Sequence, residues 1–243
     1  IVRNAAGEAT SVLRYTFGNN FKYLTVREFD LNGNLLNTRY PTFSALTEAD
    51  QKFSDAGDFN VLAFAVNNVD PTRLLVGLDG LYESWDRGSD AIDVRPSTAA
   101  GTVSALAYGG WENGLEKQEA AYVAFGDTLW WRETDAGGWT EAVTKPANAI
   151  NITSIAMDPT NWKVAFAVDD PHVYVTSDGG RTWGDLTPAA GTNGGLPPNG
   201  LSSVTLAKLA TETGGRTDPR VADLKIELRD GTSFEVNLAN ATT

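Results

Sequence analysis

The sequence predicts an all-β chain built from five repeated units of about four short strands each. Two observations carry this. Apolar, strand-like runs open at regular intervals: "VLRYTF" from Val12, "VLAFAV" from Val61, "VSALAY" from Val103, "ITSIAM" from Ile152 and "LSSVTL" from Leu201. Their starts lie 49, 42, 49 and 49 residues apart. The second half of the unit also recurs. "NVDPTRLLVGLDGLYESWDRG" parallels "AMDPTNWKVAFAVDDPHVYVTSDGG", each reading strand, Asp-Pro-Thr turn, strand, short turn, strand, Asp-containing turn. Four strands repeated every 40 to 50 residues is the signature of a β-propeller blade, because one such sheet cannot bury both faces alone. An irregular β-sandwich is the alternative, but it would not require the same unit five times.

In order, the first unit offers "FKYLTVREFDLNGNLLN", with a hairpin at "DLNGN". The oxygens there also resemble a calcium turn, which leaves Ca as the one metal considered. The chain lacks the acidic residue that would close an EF-hand loop, so the hairpin reading is preferred. "ALTEADQKFSDA" (residues 45–56) is the one stretch that suggests a short helix. Asp70-Pro71-Thr72 and Asp158-Pro159-Thr160 open turns, since Pro presets φ and Asp bonds the backbone ahead of it. "AAYVAFGDTLWWRETDAGG" fills the third unit and "ADLKIELRDGTSFEVNL" the fifth. Gly184 to Leu201 reads as a Gly/Pro-rich connection. All 243 residues read as one domain, and closure is expected to pair a strand near residues 10 to 27 with the last sheet.

The bulk numbers exclude several functions. There is no Cys and a single His, His172, so disulfides, thiolate metal sites, thiol catalysis and multi-histidine centres are ruled out. The formal charge of −12 opposes nucleic acid and anionic membrane. No apolar run reaches the roughly 20 residues of a spanning helix, so membrane insertion is not expected. The chain starts at Ile1 without a signal peptide. Together with heavy use of Thr, Asn, Gly and Asp, this suggests a module of a larger extracellular or cell-surface bacterial protein with flanking domains.

The segment Thr176-Ser177-Asp178-Gly179-Gly180-Arg181-Thr182-Trp183 fits Ser/Thr-x-Asp-x-Gly-x-Thr-Trp throughout. Ser84-Trp85-Asp86-Arg87-Gly88 keeps the first half and then has Asp90 and Ala91. Thr134-Asp135-Ala136-Gly137 keeps Asp and Gly, with Trp139 one residue early. The pattern resembles the Asp-box (BNR) repeat of sialidases, sortilin-type receptors, some glycoside hydrolases and a photosystem II assembly factor. That resemblance implies a β-propeller in which Asp86, Gly88, Asp135, Gly137, Thr176, Asp178, Gly180, Thr182 and Trp183 are structural and lie away from an active face. The chemistry agrees: Asp accepts turn N–H groups, Gly takes angles other residues avoid, and Trp packs between blades.

Catalytic signals are weak. A sialidase needs an arginine clamp and an aromatic-Arg-Ile-Pro start; here Arg39 precedes Tyr40-Pro41 but Thr38 replaces the aromatic. Paired carboxylates for glycoside hydrolysis are guaranteed by 31 acidic residues, and no spacing singles out a pair. Trp111, in the polar stretch "GGWENGLEKQEA", reads as an aromatic on a connection with no core strand nearby, free to stack on a sugar or anchor a protein. The sequence therefore points to a non-catalytic binding or scaffolding module for a protein or glycan ligand, with Trp111 and Arg39 as binding candidates, no catalytic residue and no cofactor. A glycoside hydrolase or sialidase-like domain is the alternative.

Overall fold

The computed structural model describes residues 1–18, 23–42, 63–78, 80–144, 146, 148–186, 201–208, 222–228 and 233–237, with side chains in the last three segments described only through residue 205. The stretch 45–56 expected to hold a short helix lies outside them. Every regular element among the described residues is a strand.

Five antiparallel sheets follow one another along the chain. Sheet 1 holds β1 (Val2–Arg3), β2 (Ala9–Thr16), β3 (Thr25–Phe29) and β4 (Leu35–Arg39). Sheet 2 holds β5 (Ala63–Val66), β6 (Leu74–Gly77), β7 (Leu81–Ser84) and β8 (Ile92–Asp93). Sheet 3 holds β9 (Val103–Glu112), β10 (Leu115–Phe125), β11 (Thr128–Arg132) and β12 (Thr140–Glu141). Sheet 4 holds β13 (Ser154–Met157), β14 (Ala165–Val168), β15 (Val173–Thr176) and β16 (Gly184–Asp185). Sheet 5 holds β17 (Leu201–Lys208), β18 (Ala222–Leu228) and β19 (Ser233–Asn237). In sheets 2 to 4 the strands lie side by side in chain order, starting from the repeat-opening strand.

Four details differ from expectation. In sheet 1 the extra strand, β1, precedes the repeat-opening strand and pairs with β2 (Val2 opposite Ser11). Sheet 5 has three described strands instead of four. The strand expected to close a ring with the last sheet, within residues 10 to 27, pairs instead inside sheet 1, Val12 to Thr16 opposite Phe29 to Thr25. A strand is claimed by the nearest partner in sequence, and β3 follows β2 closely along the chain. The connection after Trp183 also begins later than its Gly content suggests, because Gly184 and Asp185 form β16 against Val175 and Tyr174.

Period-two alternation gives each middle sheet two apolar faces. On β10, Tyr122 and Ala124 join a core shared with sheet 4, while Ala121, Val123 and Phe125 join one shared with sheet 2. On β14, Ala165 and Ala167 turn to sheet 3, and Phe166 and Val168 to sheet 5. Leu74 and Val76 on β6 meet Leu13, Tyr15 and Val26 of sheet 1. Four cores thus join five sheets in series. Neighbouring sheets approach most closely along their repeat-opening strands β5, β9, β13 and β17. Sheets that converge at one edge and splay at the other fan out about an axis, and the small residues Ala63, Ala105 and Ala107 on the converging strands permit that closeness.

Aromatics fill the wider part of the wedge. Between sheets 3 and 4, Trp183 meets Tyr122 edge-on (centroids 5.9 Å, 79°), and the fully buried Trp162 lies 6.2 Å from the same ring. Trp130 and Trp131 point to opposite sides, one toward sheet 2 and the other toward sheet 4. Gly180 (φ +87°) passes so close that an added Cβ would sit 2.6 Å from the Tyr122 ring. Truncating Trp183 to Ala should cost about 3–5 kcal/mol, as for other buried Trp cavities. Trp111→Ala, on the half-buried end of β9, should cost about 1 kcal/mol. Denaturant titrations compare the two, and equal losses would contradict the packing.

Candidate functional site

The converging strands enclose a cavity of about 520 Å³. Ala65 and Val66 from β5, Leu106 to Trp111 from β9, Ile155 to Met157 from β13 and Val204 and Thr205 from β17 line it, with Asn68, Asp158 and Pro159 from the turns. Its walls are mainly apolar side chains and backbone, a composition suited to holding a ligand with a few convergent polar groups. Asn68 is fixed by its own backbone N–H to Tyr108 O (3.0 Å) and by its amide to Gly109 O (3.3 Å).

Trp111 lines this cavity, but not from a loose connection. The stretch read as a polar insertion is the outer half of the long β9–β10 hairpin, with Trp111 opposite Glu116 and Gly110 opposite Lys117. Alternation was obscured there by Gly109, Gly110 and the charged β10 residues, so two strands read as a loop. The hairpin also reaches sheet 4. Trp162 N–H donates to Trp111 O (2.7 Å), Glu112 bridges to Asn161, and Lys163 Nζ lies 2.5 Å from Glu112 Oε1. Lys117 joins the group at 3.4 Å from Glu112 and 2.9 Å from Glu133. Arg39, the other binding candidate, is exposed at the end of β4 opposite Val26 and does not line the cavity.

The Asp-Pro-Thr turns behave alike, and the second of them reaches the cavity lining. Asp70 Oδ1 accepts from Thr72 N–H (3.0 Å) and Thr72 Oγ1 (2.7 Å). Asp158 Oδ1 accepts from Thr160 N–H (2.7 Å), Thr160 Oγ1 (2.7 Å) and Asn161 N–H (3.0 Å). Asp30 likewise spends its oxygens on its own hairpin, on Asn32 N–H, Asn34 N–H and the Asn34 amide. Among the described residues, no cluster of three or more His, Asp or Glu is placed to hold a metal.

The Ser/Thr-x-Asp-x-Gly turns at 84–90 and 176–182 share three equivalent hydrogen bonds. Thr176 Oγ1 donates to Asp178 Oδ1 (2.9 Å) and accepts from Gly180 N–H (3.0 Å), while Thr182 N–H donates to Asp178 Oδ1 (3.0 Å). Ser84 Oγ bonds Asp86 (2.9 Å) and accepts from Gly88 N–H (2.9 Å), and Asp90 N–H donates to Asp86 (2.9 Å). Gly88 and Gly180 are both left-handed (φ +89° and +87°), as are Arg87 and Gly179 before them. Thr182 adds one bond that Asp90 lacks, Oγ1 to Asp178 Oδ2 at 2.6 Å. Burial opposes ionisation of Asp178, but the bonds from Thr182 and Thr176 outweigh it and lower its pKa.

The third turn is different. Arg132 stands at the end of β11, where Ser84 and Thr176 end β7 and β15, so Asp135 is displaced from the turn-binding position. Its expected role as an acceptor of turn N–H groups is therefore wrong. Gly137 bonds Thr134 Oγ1 instead (3.1 Å), and the left-handed glycine is Gly138 (φ +66°).

Asp135 joins a buried cluster between sheets 2 and 3. Arg73 Nη2 lies 2.7 Å from both Glu83 Oε1 and Asp135 Oδ2; Arg132 Nη2 lies 2.7 Å from Glu83 Oε1 and 3.1 Å from Asp135 Oδ1. Tyr108 donates its hydroxyl to Glu83 and accepts from Arg73 Nε (2.5 Å). Arg73 also faces the rings of Trp85 (5.9 Å) and Tyr108 (5.5 Å), and Arg132 that of Trp139 (4.8 Å). Two guanidinium and two carboxylate groups balance, which is how buried charge is tolerated. Burial pushes the Glu83 carboxyl up, but the bond and charge of Arg132, then Tyr108 and Arg73, prevail and hold it below the usual carboxylate range. The sequence did carry a signal for this cluster. Glu83 occupies the strand position that is Val175 in sheet 4 and Trp131 in sheet 3, a charge where the repeat is apolar.

No protein-family model matches the chain, and a search of curated proteins gives no significant match. Among solved structures, an ancestral GH74 enzyme matches with a TM-score of 0.59 at 14% identity, over 95% of this chain and 29% of that one. The COPII outer coat vertex on membranes matches with a TM-score of 0.50 at 13% identity, over 96% and 62%. The COPII coat assembled on membranes does so at 0.50 and 13%, over 96% and 34%. The fold is a β-propeller. At these identities the likeness shows the fold alone, and the chain spans less than two thirds of the length of each of these matched chains.

A carboxyl whose folded pKa is depressed contributes stability above its unfolded pKa and loses it as pH falls through the folded value. Glu83 should thus stabilise the protein at neutral pH, with loss setting in below about pH 4.3. Glu83→Gln should cost about 3 kcal/mol at pH 7 and flatten the acid limb of stability against pH. Denaturant titrations from pH 3 to 7 measure both, and an unchanged acid limb would contradict the assignment.

Proposed function

We propose that this propeller is a non-catalytic binding module whose ligand, a protein or a glycan, engages the axial cavity beside Trp111. The observation that carries the reading is Trp111, an aromatic on a braced hairpin, in the lining of a cavity between the converging strands. Hydrolysis by a carboxylate pair needs two such groups across a scissile bond. The cavity lining includes one carboxylate, Asp158, with Oδ1 committed to its own turn, and no arginine for a sialidase-like clamp. The turns at 84–90 and 176–182 are Asp-box fasteners in this reading, since each carboxylate spends its oxygens inside its hairpin. The composition, free of Cys and rich in Thr, Asn, Gly and Asp, supports work at a cell surface or outside the cell, alongside flanking domains.

The test is a glycan array and a peptide array probed with the wild-type chain and with Trp111→Ala. At least one ligand class should bind, and Trp111→Ala should weaken it at least tenfold with little change in melting temperature. Binding indifferent to Trp111 would remove the cavity from the account, and turnover of a bound glycan would make the module an enzyme.

A further inference from the structure

Charged groups that neighbour the lining through Tyr108 and the β9–β10 hairpin are compensated in pairs. Lys163 and Lys117 are held by Glu112 and Glu133, and Arg73 and Arg132 by Glu83 and Asp135. Asp158 is the exception. It is the one formally charged residue in the lining, and among the described residues no lysine, arginine or histidine pairs with it. All three of its bonds fall on Oδ1, from groups of its own turn. Trp111 lines the same cavity and is tied to the same turn through Trp162 N–H. The lining therefore holds an uncompensated carboxylate, a tryptophan and Asn68 together.

Resting on the binding-module reading above, we propose that the cavity receives a cation, the guanidinium or ammonium group of a basic peptide segment. Asp158 would supply the counter-charge and Trp111 the π-face. A cation over an indole is attracted by the ring quadrupole, and a carboxylate in the same lining adds a charge-assisted bond. A neutral sugar would gain the stacking and leave the carboxylate without a counter-ion. An acidic ligand would meet repulsion from Asp158 and from a chain of formal charge −12. That same field raises the local concentration of basic segments and speeds their arrival.

The experiment uses the full 243-residue chain and three probes: an acetylated hexa-arginine peptide, its hexa-citrulline counterpart and neutral cellohexaose. Citrulline keeps the shape and removes the charge. The variants are Trp111→Ala, Asp158→Asn and Glu141→Gln. Asn at 158 retains an oxygen for the turn bonds, and Glu141 is an exposed residue on β12 that controls for net charge. Calorimetric titration should show hexa-arginine binding that falls at least tenfold in Asp158→Asn and in Trp111→Ala, and within twofold in Glu141→Gln. Citrulline should bind at least tenfold more weakly than arginine. Equal binding of the two peptides, or equal losses in Asp158→Asn and Glu141→Gln, would overturn the cation proposal. Cellohexaose binding that depends on Trp111, with no arginine binding, would overturn it while leaving the binding-module reading intact. Trp111-independent binding of every probe, or no binding of any, would count against both.

Discussion

A β-sheet with apolar side chains on both faces is unstable in water until both faces are covered, and this condition organises the molecule. Strands such as β6 and β14 are buried along their whole length, so neither side can be given to solvent. Each middle sheet must find two neighbours, and a series of sheets fanned about an axis supplies them. The inner strands approach closely where alanine and glycine allow it, and the outer wedge is filled by Trp162, Trp183 and Tyr122. At roughly 25 cal/mol per Å² of buried apolar area, these interfaces are the largest favourable contribution the chain can make.

The Asp-Pro-Thr and Ser/Thr-x-Asp turns serve that packing by fixing where strands begin and end. They also touch each other across the sheet: Arg87 N–H donates to Thr72 O (2.8 Å), and Gly179 N–H donates to Lys163 O (3.0 Å). Sheet 3 breaks this pattern in two places. Its first turn becomes the long β9–β10 hairpin, and its Asp turn gives way to the Arg132–Asp135 cluster. Both departures lie beside the cavity, where Tyr108 belongs to the lining and to the buried cluster at once. The repeat builds the scaffold, and the place where the repeat is broken carries the distinctive chemistry.

Much of this was legible in the residues. Strand alternation and repeat spacing revealed the five sheets, because burial on both faces leaves apolar runs at fixed intervals. The turn at 176–182 was legible because its bonds are local, made between residues two to four positions apart. The pairing of β1 with β2 was hidden, since a two-residue strand has no periodicity. For the cluster of Arg73, Glu83, Tyr108, Arg132 and Asp135, the sequence offered only a charge at an apolar repeat position, Glu83, and its partners were hidden for a different reason. Its members lie up to 62 residues apart, and only the stacking of sheets 2 and 3 brings them together. The cavity's composition was inaccessible in the same way, although Trp111 drew notice as an aromatic in polar surroundings.

The central claim is that neighbouring sheets are energetically coupled through specific contacts as well as buried area. A double-mutant cycle across the junction of sheets 2 and 3, built from Tyr108→Phe and Glu83→Gln, tests it most directly. The tyrosine hydroxyl on β9 donates to the Glu83 carboxylate on β7, so Tyr108→Phe removes the donor and Glu83→Gln removes the charge of the acceptor. Equilibrium unfolding of the four proteins should give a coupling free energy of about 1–3 kcal/mol, the range for hydrogen bonds to charged groups. Losses that simply add would show that the two sheets do not communicate through this contact and would contradict the account.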